Sequence, residues 1–537
     1  WGKIDKHAVV FVTGLGDIAF LKQLVIKIVP SIQLVIYEPS LNVFFKVIEN
    51  IDLSFLFEDR IPALIVDGLN GEEKKAILEK LVTLANIEFI KHYENRSCAA
   101  LFSAQVIDFM KLLGKTVEDV IVGRNTEIRY SAVEMDNLFH NIKYLCEGSI
   151  TTQLCDIIPT DIPAIIVSAG PSLNKNIMEL KRAKNKAFIV AVDTAVRPLV
   201  NAGIIPDMYV IVDGLKPKEL LDFDEAKRIP LMPSITSTKE ILENHTGKKI
   251  FWFEGQRFIW SMMMMNGVPF STVACGGSVA CSAFSLVYKL GFSRIILVGQ
   301  DLALTGNKTH ADGTFKSIMD EIDTSRCIKV PGNYEEEVPT RGDFKLYLDW
   351  FNYYIKGCEG IHVINATEGG AKIDNTEIMT LHDAIMRECI KEVDIDACFE
   401  KLKPIFDAEQ QHKALEYLKT FPEMYRKLKK KVIKLNKEYQ KLKTICGKSI
   451  IDKNAYLKAL KNIKNLTQEI EKHELYDTIS CTLTVANYII ESEQFYEEDT
   501  VAAEGLQIAK QGIAYTKMVE QCIDLFIPLT EETLLTL

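Results

Sequence analysis

The sequence predicts an α/β chain that ends in a bundle of helices. Three observations lead there. Short β-branched runs alternate with helical patterns through the first 390 residues, as in layered α/β domains. Those runs are apolar at nearly every position, which suits a parallel sheet buried on both faces. Glycine and proline then almost vanish: residues 391–537 hold 3 Gly and 3 Pro, against 26 and 14 in residues 1–390. Turn-poor sequence with long charged side chains favours helix.

Taken in order, residues 1–125 hold the runs Ala8–Val12, Leu34–Tyr37 and Ala63–Val66. After the first run comes Gly14-Leu15-Gly16-Asp17, and Glu38 closes the second. A tight glycine turn, a helix start and an acid at the next strand end outline a dinucleotide fingerprint. Asp17 would sit beside the pyrophosphate, so a Rossmann-like domain without cofactor is the expectation. A helical linker is expected over 126–150. Residues 151–390 hold six further runs: Ala164–Val167, Ala187–Val192, Met208–Val212, Ile250–Phe253, Ile295–Val298 and Ile361–Ile364. Residues 391–537 repeat apolar positions at three- and four-residue steps, from Leu415 and Leu418 through Leu428, Val432, Leu435 and Leu442.

Composition narrows the classes. At 537 residues the chain suits roughly three or four domains. With 47% hydrophobic and 25% charged residues it is ordinary globular protein. A net charge of −10, from 63 basic and 73 acidic side chains, excludes a generally basic nucleic-acid coat. No apolar run reaches the ~18 residues of a membrane span. The opening Trp1-Gly2-Lys3-Ile4-Asp5-Lys6 lacks the basic-then-apolar order of a signal peptide and an initiator Met, so a start inside a longer protein is expected. Twelve scattered cysteines without CxxC spacing fit reduced thiols in the cytoplasm. The helical tail is split in charge: residues 391–470 carry 19 basic and 11 acidic side chains, and residues 471–537 carry 3 and 13. Either antiparallel helices neutralise each other, or Arg426, Lys427, Lys429, Lys430 and Lys431 edge a protein-docking surface.

The second block carries the chemistry. Its first strand runs into Ser168-Ala169-Gly170-Pro171-Ser172-Leu173. Gly170 admits close backbone approach, Pro171 presets a helix start, and Ser172 supplies a donor for an anion there. The next strands end in Asp193-Thr194 and Asp213-Gly214, polar groups suited to a ribose or a base, or to capping helices. Gly276-Gly277-Ser278 opens a small-residue helix, which serves either an anion or close packing. A later strand ends in Gly299-Gln300-Asp301.

These motifs, with Ala191-Val192-Asp193-Thr194-Ala195, Ile205-Pro206-Asp207, Val298–Ala303 and Asn365-Ala366-Thr367-Glu368-Gly369-Gly370-Ala371, resemble the motility accessory factor (Maf) family, bacterial enzymes that glycosylate flagellin. The central block is also similar to bacterial CMP-sialic acid sialyltransferases, and it shares its fold with archaeal pterin diphosphokinases. Sialyltransferases of this kind carry Asn where Ala169 stands. The resemblance implies an N-terminal Rossmann-like domain, a central doubly wound α/β catalytic domain and a C-terminal α-helical domain that docks flagellin. It implies inverting transfer of a nonulosonic acid, such as pseudaminic or legionaminic acid, from a CMP-activated donor to Ser or Thr hydroxyls of flagellin.

On this resemblance the nucleotide lies along Gly170, Pro171, Ser172, Leu173, Asp193, Thr194, Asp213, Gly276, Gly277, Ser278 and Asp301, with the phosphate on Gly170, Ser172, Gly277 and Ser278. Asn365 and Thr367 reach the donor sugar from the far side. His310 is the candidate general base and Glu337 its rival, each set against an exposed loop position. No tightly bound cofactor or metal is expected. Asp222-Phe223-Asp224 matches a DxD metal motif, but the pattern recurs at Asp394-Ile395-Asp396, so chance explains it. Met262–Met265 suits adaptable core or interface. The competing readings are a diphosphokinase using ATP and Mg²⁺, although no Walker A loop is present, and a non-catalytic flagellin-binding scaffold.

Overall fold

The computed structural model describes residues 8–28, 32–57, 63–83, 86–253, 255–315, 327–483 and 500–536. The opening Trp1–Lys6 segment lies outside them. By packing, residues up to Ser131 group with Glu423–Ile527, and Ala132–Pro422 groups with the residues from Pro528 on. Composition divides the chain differently, at 125, 150 and 390.

In the first unit, β1 (Val9–Thr13), β2 (Gln33–Glu38), β3 (Ala63–Val66) and β4 (Lys91–Glu94) form a sheet of order β3-β2-β1-β4. Every pair in it is parallel. The fingerprint region is closed on itself. Glu38, 1% exposed, accepts the Leu15 amide at 2.9 Å and the Ser40 amide at 2.9 Å. Asp17 accepts the Phe20 amide as the cap of its own helix. The acid expected to read a ribose holds the turn through these bonds. Phe109, from the helix Ser103–Glu147, stacks on Tyr37 with ring centroids 4.2 Å apart and closes one face of the sheet. That helix begins well before the linker expected at 126, and its last residue meets the strand at Ser149–Ile150 through a single glycine.

The tail is helical as its composition predicts: Phe421–Cys446, Lys453–Glu471, Tyr476–Thr482 and Val501–Thr536. Lys429 reaches Asp524 at 2.7 Å and Glu520 at 3.5 Å, and Lys431 reaches Glu469 at 3.1 Å. Two residues of the basic edge therefore pair with carboxylates of neighbouring helices in the same bundle. The helices Ile395–Glu400 and Ala408–Lys419 belong by packing to the central unit, where Phe399 lies against Phe188.

The central unit adds β5 (Ser149–Ile150), β6 (Ala164–Val167), β7 (Phe188–Val192), β8 (Met208–Ile211), β9 (Leu231–Pro233), β10 (Ile250–Phe251), β11 (Arg294–Val298), β12 (Ile328–Pro331), β13 (Glu337–Thr340), β14 (His362–Asn365) and β15 (Glu377–Ile378). Seven of them form one parallel sheet of order β15-β14-β11-β6-β7-β8-β9. Strands β6 to β8 are buried at every position, as their continuous apolar sequence requires. The order reverses around β6: the chain runs outward through β7, β8 and β9, then returns to the other side with β11 and β14. Such a reversal opens a crevice beyond the C-terminal strand ends. The run at Ile250–Phe253 touches the β9 edge only through isolated bridges, such as Ser234 with Trp252, and β10 pairs with β5. Among the described residues, no helix is long and apolar enough to cross a membrane. Cys98, Cys146, Cys281, Cys389, Cys398 and Cys446 are buried thiols.

Phe109→Ala removes the ring that covers Tyr37 and should cost the first unit about 3–5 kcal/mol. Urea unfolding followed by hydrogen exchange would show this as lost protection in β1 and β2, with β6 and β7 unchanged.

Candidate functional site

The loops that follow β6, β11 and β14 converge on one carboxylate. Asp301 is 3% exposed. It accepts the Ser172 hydroxyl at 2.6 Å, the Ser172 amide at 3.1 Å and the Thr305 hydroxyl at 2.7 Å. Its own carbonyl accepts the Ala371 amide at 2.7 Å. Burial pushes the Asp301 carboxyl above the usual carboxylate range, and the bonds from Ser172 and Thr305 pull it back only in part. Gly170 is required by this closure: a Cβ there would lie 2.1 Å from Asp301 Oδ2 and 2.5 Å from the Gly299 carbonyl. Its bare backbone fits Asp301, where the sequence suggested a phosphate.

The anion cradle therefore differs from the expected one. Ser172 is fully buried, and both its donors go to Asp301. Leu173 opens a helix of only four residues, Leu173–Asn176, and is itself buried. Asn365 and Thr367 are also taken up within the protein. Asn365 donates to Asn333 Oδ1 at 3.0 Å and accepts the Thr367 amide, and the Thr367 hydroxyl accepts the Gln300 amide at 3.1 Å. Both are 0% exposed, so they hold loops together and do not line an open sugar subsite. Asn333, which no sequence motif marks, ties the β12–β13 turn to the Thr367 and Gly369 carbonyls.

At the other strand ends Asp193 is equally buried, whereas Thr194, Asp213 and Ser278 are partly exposed. Asp193, at the end of β7, accepts the Thr194 amide at 2.7 Å and lies 3.0 Å from the Lys216 ammonium. Asp213 forms a turn with the Leu215 amide at 2.8 Å. Ser278 caps the helix Val279–Lys289, accepting the Cys281 amide. The glycines before it meet aromatic rings of the helix Gly342–Lys356: a Cβ on Gly276 would lie 2.5 Å from Trp350, and one on Gly277 3.0 Å from Tyr347. Close packing thus accounts for Gly276, with a helix as its partner.

The two candidate bases separate. His310 is half-buried on a loop pinned to the first strand end, because the Ala311 amide donates to the Ala169 carbonyl at 2.8 Å. Thr309 lies 2.9 Å from its Nδ1. Glu337 stands on the β12–β13 hairpin, 56% exposed, across from Lys329 at 3.5 Å. Of the chance motifs, Asp222 pairs with Lys227, Asp224 is 81% exposed, and Asp394 caps a helix. Met262 and Met263 are core, whereas Met264 and Met265 face outward. Among the described residues, no group of three or more His, Cys, Asp or Glu is gathered as a metal-ligand set.

Comparison with known proteins bears on this arrangement. The Maf glycosyltransferase from Magnetospirillum magneticum AMB-1 superposes with a TM-score of 0.56 at 16% identity, covering 98% of this chain and 79% of that one. Residues 136–307 match the family described as 6-hydroxymethylpterin diphosphokinase MptE-like. An uncharacterized protein of Treponema pallidum (strain Nichols) is 24% identical over 144 residues, which is 27% of this chain and 67% of that protein. This chain therefore has the fold of a Maf glycosyltransferase over nearly its whole length, with the MptE-like module at its centre.

Asp301→Ala leaves three donors without an acceptor and should destabilise the central unit by about 3 kcal/mol, measured by denaturant unfolding. Asp301→Asn keeps an acceptor and should cost less. Because the folded carboxyl is raised, its favourable contribution is full below the unfolded pKa of about 3.9 and is lost as pH rises through the folded value. Asp301→Asn should flatten that fall in stability above about pH 4.

Proposed function

We propose that this protein is a glycosyltransferase, and more narrowly one that moves a nonulosonic acid such as pseudaminic or legionaminic acid from its CMP-activated donor to Ser or Thr hydroxyls of flagellin. The observation that carries the reading is the end-to-end likeness to a Maf glycosyltransferase. The polar strand ends at the reversal of the sheet support it, since that crevice is where an α/β sheet takes a nucleotide. The reading takes the donor as a substrate, with no tightly held cofactor, and the reaction as cytoplasmic.

In this reaction the bond from the sugar's anomeric carbon to the phosphate oxygen breaks, and the electron pair leaves with CMP. The acceptor oxygen attacks from the opposite face of an oxocarbenium-like centre and forms the new glycosidic bond. Its proton passes to a base. His310 suits that task better than Glu337, because its loop is fixed beside the first strand end and Glu337 is held in an exposed cross-strand pair. Thr194 and Asp213 flank the nucleoside, and the turn at Gly277–Ser278 borders the phosphate. The helices of Glu423–Ile527 offer the flagellin surface, with Lys427 and Lys430 as its basic edge.

The match of residues 136–307 to the MptE-like family favours a second reading, diphosphoryl transfer from ATP with Mg²⁺. Isothermal titration with CMP, ATP plus Mg²⁺, and UDP separates the two. Selective CMP binding is expected; selective ATP binding would move the assignment to the kinase, and no nucleotide binding would leave a flagellin-binding scaffold. With a CMP-sugar and flagellin, His310→Ala should lower kcat by about 10²–10⁴-fold. A larger loss in Glu337→Gln would exchange the two roles.

A further inference from the structure

Two buried Lys–Asp pairs sit on opposite edges of the central sheet. Lys184 pairs with Asp207 where β7 and β8 begin, and Asp207 also accepts the Ile189 amide at 2.7 Å. Lys216 pairs with Asp193 at 3.0 Å where the same two strands end, with side-chain exposures of 14% and 1%. Strands β7 and β8 are direct neighbours in register, so Asp193 and the turn after Ile211 lie side by side. Burying two opposite charges is at best weakly stabilising, because desolvation offsets their attraction. At the N-terminal edge such a pair joins strands. At the C-terminal edge it lies where an α/β sheet receives its ligand.

The surroundings hold Lys216 at that edge. Its turn is pinned at both ends: the Asp213 carboxylate accepts the Leu215 amide at 2.8 Å, and the Lys216 carbonyl accepts the Thr238 hydroxyl at 3.1 Å. Asp193 is itself fixed by the Thr194 amide at 2.7 Å. The Tyr347 ring packs on Gly277. Burial raises the Tyr347 phenol and the Arg341 and Lys216 charges lower it in part, so the Lys216 ammonium lies within electrostatic reach of that phenol.

We propose that Lys216, held in place by Asp193, is the cation that meets the phosphate of the bound nucleotide. The inference deepens the transferase reading and rests on it. Asp193, assigned to the nucleoside from sequence, becomes the positioning residue for this cation. A departing CMP phosphate gains negative charge as its bond to the sugar breaks, and an ammonium held in a partly dry crevice stabilises that charge where water would screen it. It also supplies the charge that Ser172, turned to Asp301, does not.

The test is titration of the wild type, Lys216→Met and Lys184→Met with CMP and with cytidine. Lys216→Met should weaken CMP by about tenfold or more, the range for a hydrogen bond to a charged group, and leave cytidine unchanged. Lys184→Met should lower stability without changing the ratio of CMP to cytidine affinity. Since Lys216→Met leaves Asp193 buried and unpaired, Asp193→Asn with Lys216→Met keeps the measurement interpretable, with folding verified by circular dichroism. If the wild type binds CMP and both Lys216 variants keep the full CMP-to-cytidine ratio, the inference falls and the transferase reading stands. If the wild type prefers ATP and Lys216→Met weakens ATP against adenosine, the donor assignment falls and the phosphate role of Lys216 stands. If no nucleoside phosphate binds the wild type, both fall.

Discussion

The carboxylate of Asp301 is the point on which the central unit depends. It lies at the end of β11, the strand between β6 and β14, and receives the first turn after β6 through both donors of Ser172. The Ala371 amide on its carbonyl brings in the loop after β14. An ionisable group this deep is unfavourable unless its oxygens are filled, and here they are filled by neighbours from separate parts of the chain. The same closure demands glycine at 170, since any side chain would occupy the space of the carboxylate. The glycine-rich strand end is therefore first a packing device. Its fixed loops then form the floor of the crevice at the reversal between β6 and β11.

Beside this hydrogen-bonded knot stands a Lys–Asp pair. The hydroxyls and amides of Ser172, Asn365 and Thr367 are consumed in holding loops, which leaves the β7 and β8 ends to meet a charged ligand. Lys216 and Asp193 are there, with the Tyr347 phenol within electrostatic reach of the ammonium. The division is physically sensible. Fully satisfied hydrogen-bonded networks give rigid position, whereas a partly buried ion pair adds little stability because desolvation offsets its attraction. The remote Lys184–Asp207 pair shows the same chemistry used between strand starts.

In the first unit a fingerprint-like turn is filled by its own acid. Glu38 takes the Leu15 amide that a pyrophosphate would need, and Asp17 caps its helix. In the tail, the two blocks of opposite charge in sequence meet as ion pairs such as Lys429 with Asp524 and Glu520. Exposed pairs of this kind add little stability each, but they cancel charge across adjacent helices.

What the sequence determined by itself was local. Continuous apolar runs marked β6, β7, β8 and β11, because a strand buried on both faces has no polar positions. Missing glycine and proline marked the helices of the tail. Strands without that signal escaped: β4 reads Lys-His-Tyr-Glu, and β9 is three residues ending in proline. Only tertiary structure decided which polar groups face each other. Ser172 and Asp301 are 129 residues apart, and no spacing rule reports that the serine's donors are already taken. Lys216 belongs to no motif, and its partner lies across a strand boundary. A hydrogen bond or ion pair depends on a few ångströms in space, and a sequence fixes such distances only within one turn or one strand.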